Sequence, residues 1–246
     1  MCQLSFEKMS NHNGCLEERR LLEHRLVFGY YPGIVNNPGD EIERLKNLTE
    51  SYLYKDVLQW EKIHKPEKLE KLLTALALQM GNEVSYNELS QLVGIDNLTV
   101  EKYIKLLEQS FIIFRLDGFN RNLRNEIKKG KKIYFYDNGI RNAILNNLNP
   151  LNLRDDVGKL WENFLISERM KTNSYHLKNF KTYFWRTHAQ QEIDFLEEAN
   201  GKISAYEFKW NERKKAKIPK NFSETYNPEI EKIITKDNFH EFVINR

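Results

Sequence analysis

Between Ile203 and Trp210 the residues alternate in character, and this period of two narrows the fold more than any other feature. A strand here puts Ile203, Ala205, Glu207 and Lys209 on one face and Tyr206, Phe208 and Trp210 on the other. The aromatic face demands a core. The charged pair must reach solvent, be paired or hold a metal, because isolated charge is costly to bury. One strand earlier Asp194 stands between Ile193 and Phe195, where packing alone is better served by an apolar residue. A hairpin through Ala199-Asn200-Gly201 brings Asp194 toward Glu207. Glu162, at the edge of the apolar stripe Leu160 to Ile166, reaches the same point if its helix packs on the sheet.

The flanking sequence supplies that sheet and helix. A helix is expected from about Asp156 to Met170, then strands at 181–186, 192–197 and 203–210, with a last helix and a strand at 230–235. Upstream the period is helical. Leu69, Leu72, Leu73, Leu76 and Met80 mark one buried helical face over 66–80. Ser85 and Glu88 form a capping box for a short helix that Gly94 stops. A third helix, 97–109, buries Val100, Tyr103, Ile104 and Leu107. Two strand-like runs follow, 111–116 and 132–136, joined by a hydrophilic segment, which is the pattern of a winged helix-turn-helix. Helices are also expected over 16–27 and 40–63, and residues 1–15 read as a polar, flexible leader. The fold class is therefore α/β (α+β), with a boundary in the Asn- and Leu-rich stretch 146–153.

Composition excludes several classes. At 246 residues the chain is long enough for two modest domains. With 38 basic and 35 acidic residues, net charge +3 does not by itself mark a nucleic-acid binder. Local charge is more telling: Arg121, Arg124, Lys128, Lys129, Lys131 and Lys132 face only Glu126 in that stretch, a local charge of 6 − 1 = +5. As the wing of a winged helix this loop would follow phosphates while Thr99, Lys102 and Lys105 approach the major groove of duplex DNA. The plain alternatives are a solvated loop and a protein docking surface. The six histidines lack metal-ligand spacing, so zinc is not expected, and Trp161, Trp185 and Trp210 are assigned to packing. The two cysteines, Cys2 and Cys15, fit a reducing, cytoplasmic setting. No signal-peptide apolar region opens the chain, and no apolar run approaches the roughly 20 residues of a membrane span.

Asp194, a spacer of 207 − 194 = 13 positions, and Glu207-Phe208-Lys209 resemble the D-(x)n-E-x-K signature of the PD-(D/E)XK nucleases. A wider resemblance runs through Phe28-Gly29-Tyr30-Tyr31-Pro32, Tyr52-Leu53-Tyr54-Lys55-Asp56, and Lys132 to Gly139. It is similar to the C-terminal region of predicted prokaryotic AAA+ family ATPases that carry a nuclease-like domain of unknown function. The resemblance implies a helical segment like the end of an AAA+ lid at 16–65, a winged helix at 66–145, and a PD-(D/E)XK restriction-endonuclease-like domain at 154–246, a central mixed sheet flanked by helices.

It further implies Glu162, Asp194 and Glu207 as ligands of Mg²⁺ or Mn²⁺ and Lys209 as the charge-stabilising member of a catalytic set, with phosphodiester hydrolysis as the reaction. No G-x-x-x-x-G-K-[ST] occurs, so the chain carries no ATP site of its own; truncation or docking on a separate AAA+ ATPase chain both fit, truncation slightly better. The rival expectation is a non-catalytic regulatory platform that binds DNA or protein. A homo-oligomer is compatible with either.

Overall fold

The computed structural model describes residues 4–50, 65–120, 130–187, 189–211 and 217–244. The chain is a mixed α/β protein whose seven strands run in the hydrogen-bonded order β1-β3-β2-β4-β5-β6-β7 and are flanked by helices. It divides into two units, Met1–Arg115 with Lys132–Asp155, and Leu116–Lys131 with Asp156–Arg246. Of the segment expected to form the wing, residues 121–129 lie outside the described residues. Of the expected helical segment 16–65, residues 51–64, with the Tyr52–Asp56 motif, lie outside the described residues; its described part and the helices expected over 66–109 fall in the first unit.

The first unit begins with α1 (Phe6–Asn13), α2 (Cys15–Arg20), α3 (Leu22–Phe28), α4 (Pro32–Val35) and α5 (Glu41–Leu48). Residues expected to be a loose leader therefore include a helix: Ser5 caps it by accepting from Lys8 N–H, and Phe6 and Met9 are buried. Two apolar side chains on one face suffice when tertiary burial, not propensity, decides.

Then come α6 (Pro66–Leu78), β1 (Glu83–Val84), α7 (Tyr86–Val93), α8 (Asn97–Gln109), β2 (Ile113–Gly118), β3 (Lys131–Phe135) and α9 (Asn138–Ile144). Ser85 accepts from Glu88 N–H, and Gly94 takes the left-handed φ of 73° that ends α7. Strand β2 starts two residues later than the sequence predicts. Phe111, at φ 54°, acts as the turn residue after α8, and Ile112 N–H returns to Leu107 O.

Asp137 ties this unit together. Its carboxylate accepts Tyr30 N–H at 2.6 Å and, as the cap of α9, Ile140 N–H at 3.2 Å. The approach needs glycine on both sides: a Cβ on Gly29 would meet Asp137 Oδ1 at 2.0 Å, and one on Gly139 would meet Phe28 O at 2.1 Å. Next to it Asn142 donates to Leu26 O and Val27 O, and Arg141 to Ala77 O. Beneath Tyr30, Glu18 is fully buried and receives Arg25 and the Tyr30 hydroxyl. The Phe28–Pro32 and Lys132–Gly139 motifs are thus two halves of one hydrogen-bonded contact.

The second unit holds α10 (Val157–Tyr175), β4 (Lys181–Arg186), β5 (Glu192–Ala199), β6 (Lys202–Phe208), α11 (Lys220–Tyr226), β7 (Ile230–Ile234) and α12 (Phe239–Val243). The end of β2 pairs parallel with β4, β4-β5-β6 form an antiparallel meander, and β7 adds parallel to β6. One core gathers Phe119, Trp185, Ile193, Leu196, Ala205 and Phe222. Another set of rings, Phe195, Tyr206, Phe208 and Phe242, joins β5 and β6 to α12.

Replacing Asp137 with alanine strands two buried backbone donors, and we expect a loss of about 3 kcal/mol in a urea unfolding experiment. Gly139→Ala is expected to destabilise as well. Wild-type midpoints in both variants would refute the latch.

Candidate active site

Glu207 and Lys209 lie at the end of β6, and they meet: Lys209 Nζ donates to Glu207 Oε1 at 2.7 Å. The Glu207 side chain is 14% exposed and Lys209 28%. Strand β6 ends at Phe208, two residues short of the expected Trp210, and Lys209 N–H pairs with Ile234 O of β7. Glu207 Oε2 is buried and makes no hydrogen bond.

Asp194 reaches the same place through an irregularity of β5. The β4–β5 register pairs Tyr183 with Leu196 and Trp185 with Ile193, so Asp194 and Phe195 together stand opposite Phe184 alone. This is a β-bulge, which breaks strict alternation and re-aims side chains. The β5–β6 register pairs Phe195 with Tyr206, so one step further Asp194 stands level with Glu207. Its Oδ2 accepts Phe208 N–H at 2.7 Å.

Glu162 is half-buried in α10 beside the buried Trp161. Its charge acts on Lys209 together with those of Glu207 and Asp194. The four residues singled out in the sequence therefore fall within electrostatic reach of one another. Among the described residues, no three His, Cys, Asp or Glu side chains converge closely enough to hold a metal ion by themselves.

The electrostatics follow from this crowding. Burial pushes the Glu207 carboxyl above the ordinary glutamate range, with Glu192 adding to the rise, while the Lys209 ammonium and the Asp194 backbone N–H pull the other way. For Lys209 burial acts downward, but Glu207, then Asp194 and Glu162, outweigh it and hold the ammonium above its ordinary value.

A second charged group in this unit has a different character. Arg169 of α10 grips Glu197 of β5 with two bonds of 2.8 and 2.7 Å, Asn173 adds a third at 2.6 Å, and Arg169 also donates to Phe242 O. Sequence reasoning missed this cluster. The one available signal was an acid, Glu197, following Phe195-Leu196 in an apolar strand.

The nucleic-acid candidates are dispersed. Lys102 and Lys105 are exposed on α8. The Thr99 hydroxyl donates to Asp96 Oδ2 at 2.7 Å, so it is engaged with Asp96, the residue that caps α8. Lys131 is half-buried and Lys132 is buried, so Lys132 does not belong to an exposed phosphate-facing row. Arg121, Arg124, Lys128 and Lys129 lie outside the described residues. No helix among the described residues is long and apolar enough to cross a membrane.

Fold and site together define a mixed α/β protein with a carboxylate–lysine group at a bulged strand pair. Residues 19–151 match the family described as domain of unknown function DUF8612, and the chain belongs to that family. Residues 157–245 match a second domain of unknown function, DUF4143. An uncharacterised protein of Mycobacterium tuberculosis is 25% identical over 138 residues, covering 55% of this chain and 30% of that protein. One of Methanocaldococcus jannaschii is 22% identical over 206 residues, covering 78% of this chain and 44% of that protein. The chain thus spans less than half the length of these relatives. No solved structure matches it with significance.

Lys209→Met is expected to raise the Glu207 titration midpoint further, because the cation that favours its charged form is gone. The sign for stability follows: where the folded carboxyl holds its proton and the unfolded one does not, stability falls as pH rises, from the ordinary glutamate range up to the folded midpoint. In Lys209→Met that window widens upward. Carboxyl-carbon NMR of both proteins checks this, and an unmoved midpoint would show that the ion pair does not govern Glu207.

Proposed function

We propose that this chain is a DNA-associated, nuclease-like module in which Asp194, Glu207 and Lys209 form a phosphodiester-hydrolysing site. The observation that carries the reading is the β5–β6 register that levels Asp194 with Glu207, together with the buried, unpartnered Glu207 Oε2. A half-satisfied buried carboxylate costs stability, and such costs concentrate where function needs them.

The donor set fits Mg²⁺ or Mn²⁺. Carboxylate oxygens are hard ligands, and Mg²⁺ typically takes one or two from protein and completes its shell with water and phosphate oxygens. Asp194 and Glu207 would hold the ion, with Glu162 nearby. When bound, it would lower the pKa of a water and offset phosphate charge. Lys209, already held by Glu207, would place a positive charge where the phosphate gathers negative charge. The bond from Phe208 N–H fixes one Asp194 oxygen in place.

The first unit fits the same reading. Its order of helix, strand, two helices and two strands is compatible with a winged helix, in which α8 would be the recognition helix. The mixed sheet flanked by helices in the second unit supports the PD-(D/E)XK assignment, and association with an AAA+ ATPase follows from the resemblance in sequence. One observation favours a non-catalytic docking platform instead. The exposed side of α8 and its cap carries Asp96 and Glu101 beside Lys102 and Lys105, and Leu98 there is 78% exposed.

Supercoiled, linear and single-stranded DNA, incubated with the full chain and Mg²⁺ or Mn²⁺, separates the two readings. We expect metal-dependent cutting that falls by about 100-fold or more in Glu207→Ala and in Lys209→Ala. No cutting with either metal, with both variants binding DNA as well as wild type, would establish the platform instead.

A further inference from the structure

The parallel pair β6–β7 ends at the candidate site, and a second lysine, Lys236, follows two residues past the end of β7. The register pairs Glu207 with Ile233 and Phe208 with Ile234, and Lys209 N–H extends the ladder to Ile234 O. Two positions past the last pair, Trp210 and Lys236 are level. Their side chains meet: Lys236 Nζ lies 4.7 Å from the centre of the Trp210 ring.

Both partners are held from behind. Asn238 accepts Thr235 N–H at 2.8 Å and donates to Ile233 O at 2.9 Å, which fixes the turn carrying Lys236. Trp210 packs edge-on against the buried Trp161, with ring centres 5.5 Å apart. Asp237, next to Lys236, is exposed, and no carboxylate among the described residues pairs with the Lys236 ammonium.

The contrast with Lys209 decides the role. Lys209 is surrounded by Glu207, Asp194 and Glu162, so its charge is already spent locally. A polyanion approaching three carboxylates needs an uncommitted cation beside them. We propose that Lys236, presented on Trp210, is a phosphate-binding subsite for the DNA backbone next to the candidate active site. The inference rests on the DNA reading above and extends it to a residue outside the D-(x)n-E-x-K signature. The subsite binds a phosphate neighbouring the reacting one; it positions the strand and takes no part in bond cleavage.

The test uses the full chain and a fluorescein-labelled DNA duplex, with EDTA present, titrated over a range of salt concentrations. Lys236→Met is expected to weaken binding about fivefold and to reduce the salt slope by about one, as one fewer counterion is released. Lys236→Arg should keep wild-type affinity. Lys220→Met, an exposed lysine paired with Glu224 on α11, should bind as wild type does. Wild-type affinity and slope in Lys236→Met would overturn the subsite while leaving DNA association intact, and an equal loss in Lys220→Met would reduce the effect to general charge. A wild-type chain that binds no duplex at all would remove the DNA reading, and the subsite with it.

Discussion

The second unit depends on one extra residue in β5. In a regular strand, residues three apart point to opposite faces, yet Ile193 and Leu196 pack in the same core with Trp185 and Ala205. Between them Phe195 turns the other way, onto Tyr206 and Phe242. Only an inserted residue reconciles these demands, and Asp194 lies within that insertion. The hydrophobic effect therefore enforces the irregularity against β4, while the regular register against β6 keeps Asp194 level with Glu207. Straightening β5 would move half of its apolar side chains to the wrong face, a far larger cost than the bulge itself.

Two charged clusters share this sheet, and the number of bonds each makes sets them apart. Glu197 receives Arg169 twice and Asn173 once, so its burial is compensated, and the cluster also ties α10 to the carbonyl of Phe242. Glu207 receives the Lys209 ammonium on Oε1 and is drawn on by the Asp194 backbone N–H, yet its Oε2 is left bare in a buried position. A sheet needing only an ion pair there has the solution already built a few residues away. The incomplete pairing at Glu207 is therefore a place where a further cation would gain.

Much of this was legible in the sequence, because the signals were local. The period of α6, the capping box of α7, the glycine after it and the alternation of β6 each specify their own element. The first helix was not legible: Phe6 and Met9 form too short a pattern in a polar stretch, and only their burial orders it. The bulge was not legible either, since Ile193 to Leu196 reads equally well with or without an extra residue until β4 and β6 fix both registers. For the same reason the sequence could place Asp194 near Glu207 but not level with it. Lys132 misled because charge was counted along the chain, whereas burial depends on the pleat: Lys132, Ile133, Tyr134 and Phe135 are all buried, so β3 is covered on both faces.

Strand direction carries the argument one step further. The meander β4-β5-β6 is antiparallel, and an antiparallel neighbour beyond β6 would bring its N-terminal end to Glu207. Instead β7 runs parallel to β6, so two strands finish side by side and both release their chains at the site. The residues just past such ends are free of the pleat and can be aimed by turns, which is why parallel strand ends so often carry binding groups. Here that freedom places Lys209 against Glu207 and Lys236 against Trp210. The β6–β7 connection through α11 thus lets two segments, one after each strand, present a lysine beyond the paired strand ends.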